Sequence, residues 1–256
     1  MSTSLFDSHC HLDLKPFSSD LSPFLQEAAA SGVRGFVVPG VHPDGWPAIA
    51  ALAAQYPSIF PAFGIHPMHA DCLTDPVLER LLGFTRHGVA IGETGLDPSS
   101  AVPMEQQERA FRAQLQIAVS CGVPVLIHCR RAFQRVRDIL RDEHVDQVGG
   151  IMHAYSGSVE MAREFIALGF AISISGTVTW HNAIKPLCVA RELPLEHLVL
   201  ETDAPDMTPA RYRGLFNRPA WITETAQRVA DVRNISLETV ARATTDNVRR
   251  ILHLES

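Results

Sequence analysis

Gly122-Val123-Pro124-Val125-Leu126-Ile127-His128-Cys129-Arg130 is an apolar run that ends abruptly on an imidazole, a thiol and a guanidinium. The run from Val123 to Ile127 is too short for a helix and suits a strand covered on both faces. Upstream, Glu105 to Cys121 carries Phe111, Leu115 and Ala118 at i, i+4, i+7 spacing, the stripe that packs a helix onto a sheet, and Gly122 supplies its C-terminal stop. Downstream, Phe133 to Glu143 is helical again. Helix, buried strand, polar cluster, helix is the repeating unit of a parallel α/β protein.

The same unit recurs along the chain. Leu5 to Asp7 leads to His9 and His11, Gly35 to Pro39 to Gly40, Pro61 to Ile65 to His66, Val89 to Gly92 to Glu93, and Gly149 to Met152 to His153. Phe170 to Ser175 then meets Gly176, and Leu198 to Leu200 meets Glu201 and Asp203. Helical patterns fill the intervals at Ser22 to Gly32, Gly45 to Gln55, Pro76 to Arg86, Val159 to Leu168 and Ile184 to Arg191, and the last helices follow Asp203. Eight strands are the number that closes a (β/α)8 TIM barrel, which gathers the ends of all its strands at one rim. An open doubly wound sheet would need a reversal of strand order to bring six strand ends together.

The chain has 256 residues, a formal charge of −6, 46% hydrophobic and 20% charged residues, a profile that fits one barrel domain spanning 1–256. No apolar run approaches the ~18 residues of a membrane span. The first positive side chain is Lys15, so no basic leader is evident, and a cytoplasmic location is expected. Cysteines at 10, 72, 121, 129 and 188 form no Cys-x-x-Cys pair, which fits reduced thiols. The acidic balance argues against gripping duplex DNA through a broad basic face.

Alternation along a strand places His9 and His11 on one face and Cys10 on the other, and likewise His128 and Arg130 against Cys129. A single histidine at a strand end is commonly a hydrogen-bonded core or turn residue. Four imidazoles and two carboxylates at the C-terminal ends of strands are instead the chemistry and location of a barrel metal centre.

Phe6-Asp7-Ser8-His9-Cys10-His11, Gly64-Ile65-His66-Pro67, Gly92-Glu93-Thr94-Gly95-Leu96-Asp97, Ile127-His128-Cys129-Arg130, His153-Ala154-Tyr155-Ser156-Gly157 and Glu201-Thr202-Asp203-Ala204-Pro205 together resemble the TatD family. Glu201 to Met207 and Gly214 to Pro219 are most similar to its YjjV branch. The resemblance covers nearly the whole chain. It implies a distorted metal-dependent barrel of the amidohydrolase superfamily and a deoxyribonuclease acting on DNA ends.

Residue by residue, the resemblance makes His9, His11 and Asp203 ligands of one divalent ion, His128 and His153 ligands of a second, and Glu93 the bridge between them. Lys15 and Lys185 are the chain's two lysines, and neither lies near the fourth strand to serve as a carbamylated bridge. Two ions can lower the pKa of a shared water and stabilise both oxygens of a displacement at phosphorus. Asp203 is the expected general base, and with Glu93 forms the catalytic pair. The mixed nitrogen and oxygen donors suit Zn, Mn, Ni or Fe, and the resemblance adds Mg.

Further expectations surround this set. His66 could donate to a phosphate oxygen or fix the Pro67 turn. Arg130 could clamp phosphate or pair with Asp97 or Glu201. Glu201 is expected to support a ligand histidine, and Tyr155 to stack on a base or pack in its loop. Arg131, Arg135 and Arg137, with Arg211, Arg213 and Arg218, are either solvated faces or a funnel for a nucleic-acid end. After Asp97 the chain continues Pro98-Ser99-Ser100, where many TatD relatives carry an aromatic residue, so substrate contacts there are expected to differ.

The resulting expectation is a metal-dependent phosphodiesterase that removes nucleotides from single-stranded or frayed DNA in the 3′–5′ direction, with no membrane and no obligate protein partner. The alternatives are hydrolysis of a small ester, amide or aminoacyl bond, and a metal-binding scaffold without turnover.

Overall fold

The computed structural model describes residues 4–254, so the extreme ends of the expected 1–256 span lie outside the described residues. Eight strands, β1 (Leu5–Asp7), β2 (Val33–Pro39), β3 (Ile59–Phe63), β4 (Ala90–Leu96), β5 (Val125–Cys129), β6 (Gly150–Met152), β7 (Phe170–Ile174) and β8 (Leu198–Leu200), form one parallel sheet in sequence order. Beyond the last pairing, the Ser8 amide donates to the Leu200 carbonyl at 2.9 Å and the Asp203 amide to the His9 carbonyl at 2.9 Å, which draws β8 against β1. The result is the expected (β/α)8 barrel.

Helices α1 (Ser22–Ala30), α2 (Trp46–Gln55), α3 (Asp75–Thr85), α4 (Met104–Cys121), α5 (Phe133–Asp142), α6 (Val159–Ala167), α7 (Ile184–Glu192), α8 (Ile222–Arg233) and α9 (Leu237–Ile251) follow the strands. None of the described helices is long and apolar enough to cross a membrane. On α4, Phe111, Leu115 and Ala118 are fully buried, as their spacing requires, and Gly122 caps the helix in the left-handed conformation.

Side-chain alternation divides the apolar residues into two layers. The larger lies between strands and helices. The smaller takes one residue from each strand, Phe6, Val37, Ala62, Ala90, Leu126, Ile151, Ala171 and Val199, and adds Val248, Ile251 and Leu252 from α9 and just beyond it. Each fully buried Val, Leu, Ile or Phe contributes roughly 1.5–3 kcal/mol. This inner layer fills the barrel below the polar rim, and α9 covers its N-terminal end.

β1 has the bounds read in the sequence, whereas β2 begins two residues earlier, β3 lies at Ile59–Phe63 instead of Pro61 to Ile65, β5 at Val125–Cys129 instead of Val123 to Ile127, and β4 is longer than expected. β1 ends at Asp7, so His9, Cys10 and His11 lie just past it; the Cys10 amide still donates to the Val37 carbonyl at 3.0 Å, and Cys10 packs in the outer apolar layer while His9 and His11 face Glu93. β4 continues to Leu96 instead of stopping at Gly92, because a register irregularity between Ile91 and Thr94 lets pairing resume beyond Glu93.

Candidate metal centre

Glu93 is the hub of the site. The irregularity in β4 turns its side chain into the barrel, where it is almost fully buried, while its amide donates to the Gly40 carbonyl at 2.9 Å. Oε2 faces Nε2 of His9 at 3.2 Å and Nε2 of His11 at 3.8 Å, and Oδ1 of Asp203 lies 3.5 Å from the same His11 nitrogen. Oε1 faces Nδ1 of His128 at 2.8 Å and Nε2 of His153 at 3.1 Å. One carboxylate therefore presents a separate oxygen to each of two donor groups. All six residues named for metal binding in the sequence converge on this place.

The donor set fits divalent ions on two observations. Both nitrogens of His9 are buried without a hydrogen-bond partner, a state that normally costs about 1–3 kcal/mol per group unless something satisfies it. His9, His11 and Glu93, and separately His66, Glu93 and His128, bring their ligand atoms close enough together to share an ion. The imidazole rings of His9 and His153 stack with centroids 3.8 Å apart, and burial, with His153 beside it, holds the His9 imidazole below its ordinary pKa. Burial alone would push the Glu93 carboxyl up, but the imidazoles of His153, His9 and His66 and the hydrogen bond to His128 hold it well below the usual range. Burial and the surrounding imidazoles oppose each other in the same way at Asp203, and the net direction is downward. Both carboxylates are thus charged and ready to coordinate.

Glu201 supports this shell. Its Oε1 lies 3.3 Å from Nδ1 of His153 and accepts the Ala154 amide at 2.7 Å, while Oε2 accepts the Ser173 hydroxyl at 2.6 Å. Asp203 sits at φ 54°, a left-handed conformation that aspartate tolerates better than most residues. Its neighbour Thr202 is held by the fully buried Asp7, whose Oδ1 accepts the Thr202 amide at 2.9 Å; burial lifts the Asp7 carboxyl to about 7 against these hydrogen bonds. Asn217 closes the arrangement by donating to the Thr202 carbonyl at 2.8 Å.

A cleft of about 680 Å³ opens over the centre, lined by His11, Glu93, His128, His153 and Asp203, by His66 and Arg130, and by apolar side chains of the surrounding loops. His66 accepts the Met68 amide on Nδ1 at 3.1 Å, which leaves its Nε2–H pointing inward, 3.7 Å from Oε1 of Glu93. Both expected uses of His66 are therefore compatible, one nitrogen for the turn and one for the cleft. Arg130 lines the cleft and forms no ion pair among the described residues: Asp97 faces Nε2 of His128 at 3.7 Å instead, with Ser99 donating both its amide and its hydroxyl to it.

Tyr155 does not reach the cleft. Its hydroxyl donates to the Ser158 carbonyl at 2.8 Å and its ring packs between Phe133 and Phe165, so base stacking is excluded for it. None of the six arginines expected to form a funnel, Arg131 and Arg213 included, lines the cleft. Arg135 pairs with Glu108, Arg137 with Asp138 and Glu164, Arg211 with Glu224 and Arg218 with Glu27.

Three supports were missed in the sequence. Asp7 had a visible signal, a carboxylate inside an apolar strand. Gln107 and Gln114 lie on the buried stripe of α4 with Phe111; Gln107 clamps the backbone of Asp97, and Gln114 the backbone of Ile65 and the hydroxyl of Thr94. Two polar residues seven apart on an apolar face were their signal.

Residues 6–253 match the family model described as TatD related DNase. The chain belongs to the TatD family. It is 36% identical over 253 residues to the metal-dependent hydrolase YabD of Bacillus subtilis, covering 98% of this chain and 99% of that protein. The crystal structure of YjjV, a TatD homologue from Escherichia coli K12, superposes with a TM-score of 0.94 at 33% identity over the full length of both chains. A phosphotriesterase homology protein of Escherichia coli, 14% identical with a TM-score of 0.70, covering 96% of this chain and 99% of its own, shares the fold alone. By membership this TatD-family chain is a metal-dependent hydrolase.

Proposed function

We propose that this TatD-family protein is a phosphodiesterase that removes nucleotides from exposed nucleic-acid ends, most directly a 3′–5′ exodeoxyribonuclease on single-stranded or frayed DNA. The observation that carries the reading is the division of Glu93, one oxygen toward His9 and His11 and the other toward His128 and His153, at the floor of an open cleft. In this reading His9, His11 and Asp203 hold one divalent ion, His128 and His153 a second, and Glu93 both. Zn, Mn, Ni, Fe and Mg are the candidates for a nitrogen and oxygen set of this kind. When bound, the ions supply an activated water and Lewis acidity toward phosphate oxygens.

The chain's own residues do the rest. Asp203 accepts a proton from the attacking water as its oxygen adds to phosphorus, and returns that proton to the leaving oxygen as the phosphorus–oxygen bond breaks. Arg130 orients the phosphate from the rim, and His66 donates from Nε2 to a non-bridging oxygen. Glu201 fixes the orientation of His153.

Incubating end-labelled oligonucleotides with protein and each divalent ion tests the proposal. Ladder release by wild type and its loss in Asp203→Ala is the expected result; equal release by both, or none with any ion, rejects it. A second reading, hydrolysis of a small ester, amide or aminoacyl bond, is favoured by the presence of a single Lys or Arg, Arg130, among the cleft's lining residues. A parallel screen of such substrates distinguishes the two.

A further inference from the structure

The rim of the cleft is apolar where a site for a long polyanion would be basic. Leu14 is 43% exposed, Met68 51% and Trp180 41%, and all three line the cleft together with Met207. Leaving large apolar side chains in water around a charged centre marks a surface that meets an apolar group of its ligand. Arg130 is the only lining residue with permanent positive charge, while Glu93, Asp203 and Asp206 contribute negative charge. A ligand matched to this cleft brings one phosphate to the metal centre and Arg130, and a flat or apolar group to the rim.

Trp180 is the side chain built for that group. Its indole Nε1 donates to the Thr208 carbonyl at 2.9 Å, so the edge of the ring is fixed. Its backbone loop is fixed as well: the Trp180 amide donates to the Thr177 carbonyl at 3.1 Å, and Thr179 Oγ1 accepts the Ala210 amide at 2.8 Å. Thr208 and Ala210 belong to the loop that carries Asp203, Asp206 and Met207. The indole is thus tied to the same segment as a metal-site carboxylate, and a ligand meets it without further ordering of the side chain. Tyr155, the aromatic residue expected from the sequence to meet a base, is buried.

Resting on the phosphodiesterase reading, we infer that Trp180 is the platform on which the terminal nucleobase stacks while its phosphate lies between Arg130 and the metal centre. Trp180 then determines specificity for a base-bearing end. Stacking on an aromatic side chain tolerates any base, because every base has a π-face.

The test uses the metal-loaded full chain as wild type, Trp180→Ala and Trp180→Phe, with thermal melts to confirm folding. Calorimetric titration with deoxyadenosine monophosphate and with deoxyribose 5-phosphate reads the contribution of the base without turnover. Wild type is expected to prefer the nucleotide roughly tenfold or more, Trp180→Phe to keep most of that preference, and Trp180→Ala to lose it. In parallel, the KM for oligonucleotides ending in a normal or an abasic residue is compared, and the difference between the two ends is expected to vanish in Trp180→Ala. A preference that persists in Trp180→Ala, or its absence in wild type, overturns the inference. If wild type releases no nucleotide, the phosphodiesterase reading fails, and the titrations still decide whether Trp180 receives a base.

Discussion

Nδ1 of His153 lies 3.3 Å from Oε1 of Glu201, while Nε2 of the same ring lies 3.1 Å from Oε1 of Glu93. The ring is held from behind by one buried carboxylate and offered to the centre beside another. Glu201→Gln keeps an oxygen for the Ala154 amide but removes the charge that steadies the imidazole. It is expected to weaken metal binding or activity about 10–100-fold, as such supporting partners do elsewhere. Competition with a chromophoric chelator measures the change, and an unaltered affinity would refute the supporting role.

In the proposed reaction Asp203 both ligates an ion and moves a proton, and Asp203→Asn separates the two. Loss of the base is expected to lower kcat about 10²–10⁴-fold. The His128 and His153 side of the centre remains intact in this variant, and direct metal analysis should still find bound ion.

Chelation should destabilise the fold as well as stop turnover. Ions that bind the native donor set and not the unfolded chain stabilise by about 2.7 kcal/mol at a hundredfold excess over Kd. Thermal melts with and without a divalent ion are expected to differ by several degrees; coincident curves would argue that the buried imidazoles are satisfied some other way.

At Gly95, φ is 149° and an added Cβ would stand 1.9 Å from the carbonyl oxygen of His128. Backbone cannot yield as a flexible side chain can. Gly95→Ala is expected to cost about 3 kcal/mol or more and to displace the β5 end that presents His128. Denaturant unfolding gives the cost, and metal content reports the displacement.

Tyr155→Phe should cost only about 1 kcal/mol, the worth of one hydrogen bond to Ser158, with no change in KM. A rise in KM on oligonucleotides would restore a substrate role for this residue.

The strands and the six residues proposed as ligands were legible because buried parallel strands are continuous apolar runs, and six of the eight lead to a histidine or a carboxylate. His9 and His11 both face Glu93, as their spacing suggested, even though β1 stops before them, since the Cys10 amide still bonds to the Val37 carbonyl of β2. Spacing says less about reach. Tyr155 follows His153 by two positions yet turns into the α5–α6 layer, and Arg135 and Arg137 pair with carboxylates on neighbouring helices. Trp180 carried no motif; only its exposure beside the cleft distinguishes it.

The inner layer from Phe6 to Val199, sealed beneath by Val248, Ile251 and Leu252, makes the barrel a blind socket. A ligand therefore reaches the centre from the rim and not along the barrel axis. In the proposed phosphodiesterase reading, a released nucleotide leaves by the same rim at which the shortened end is held.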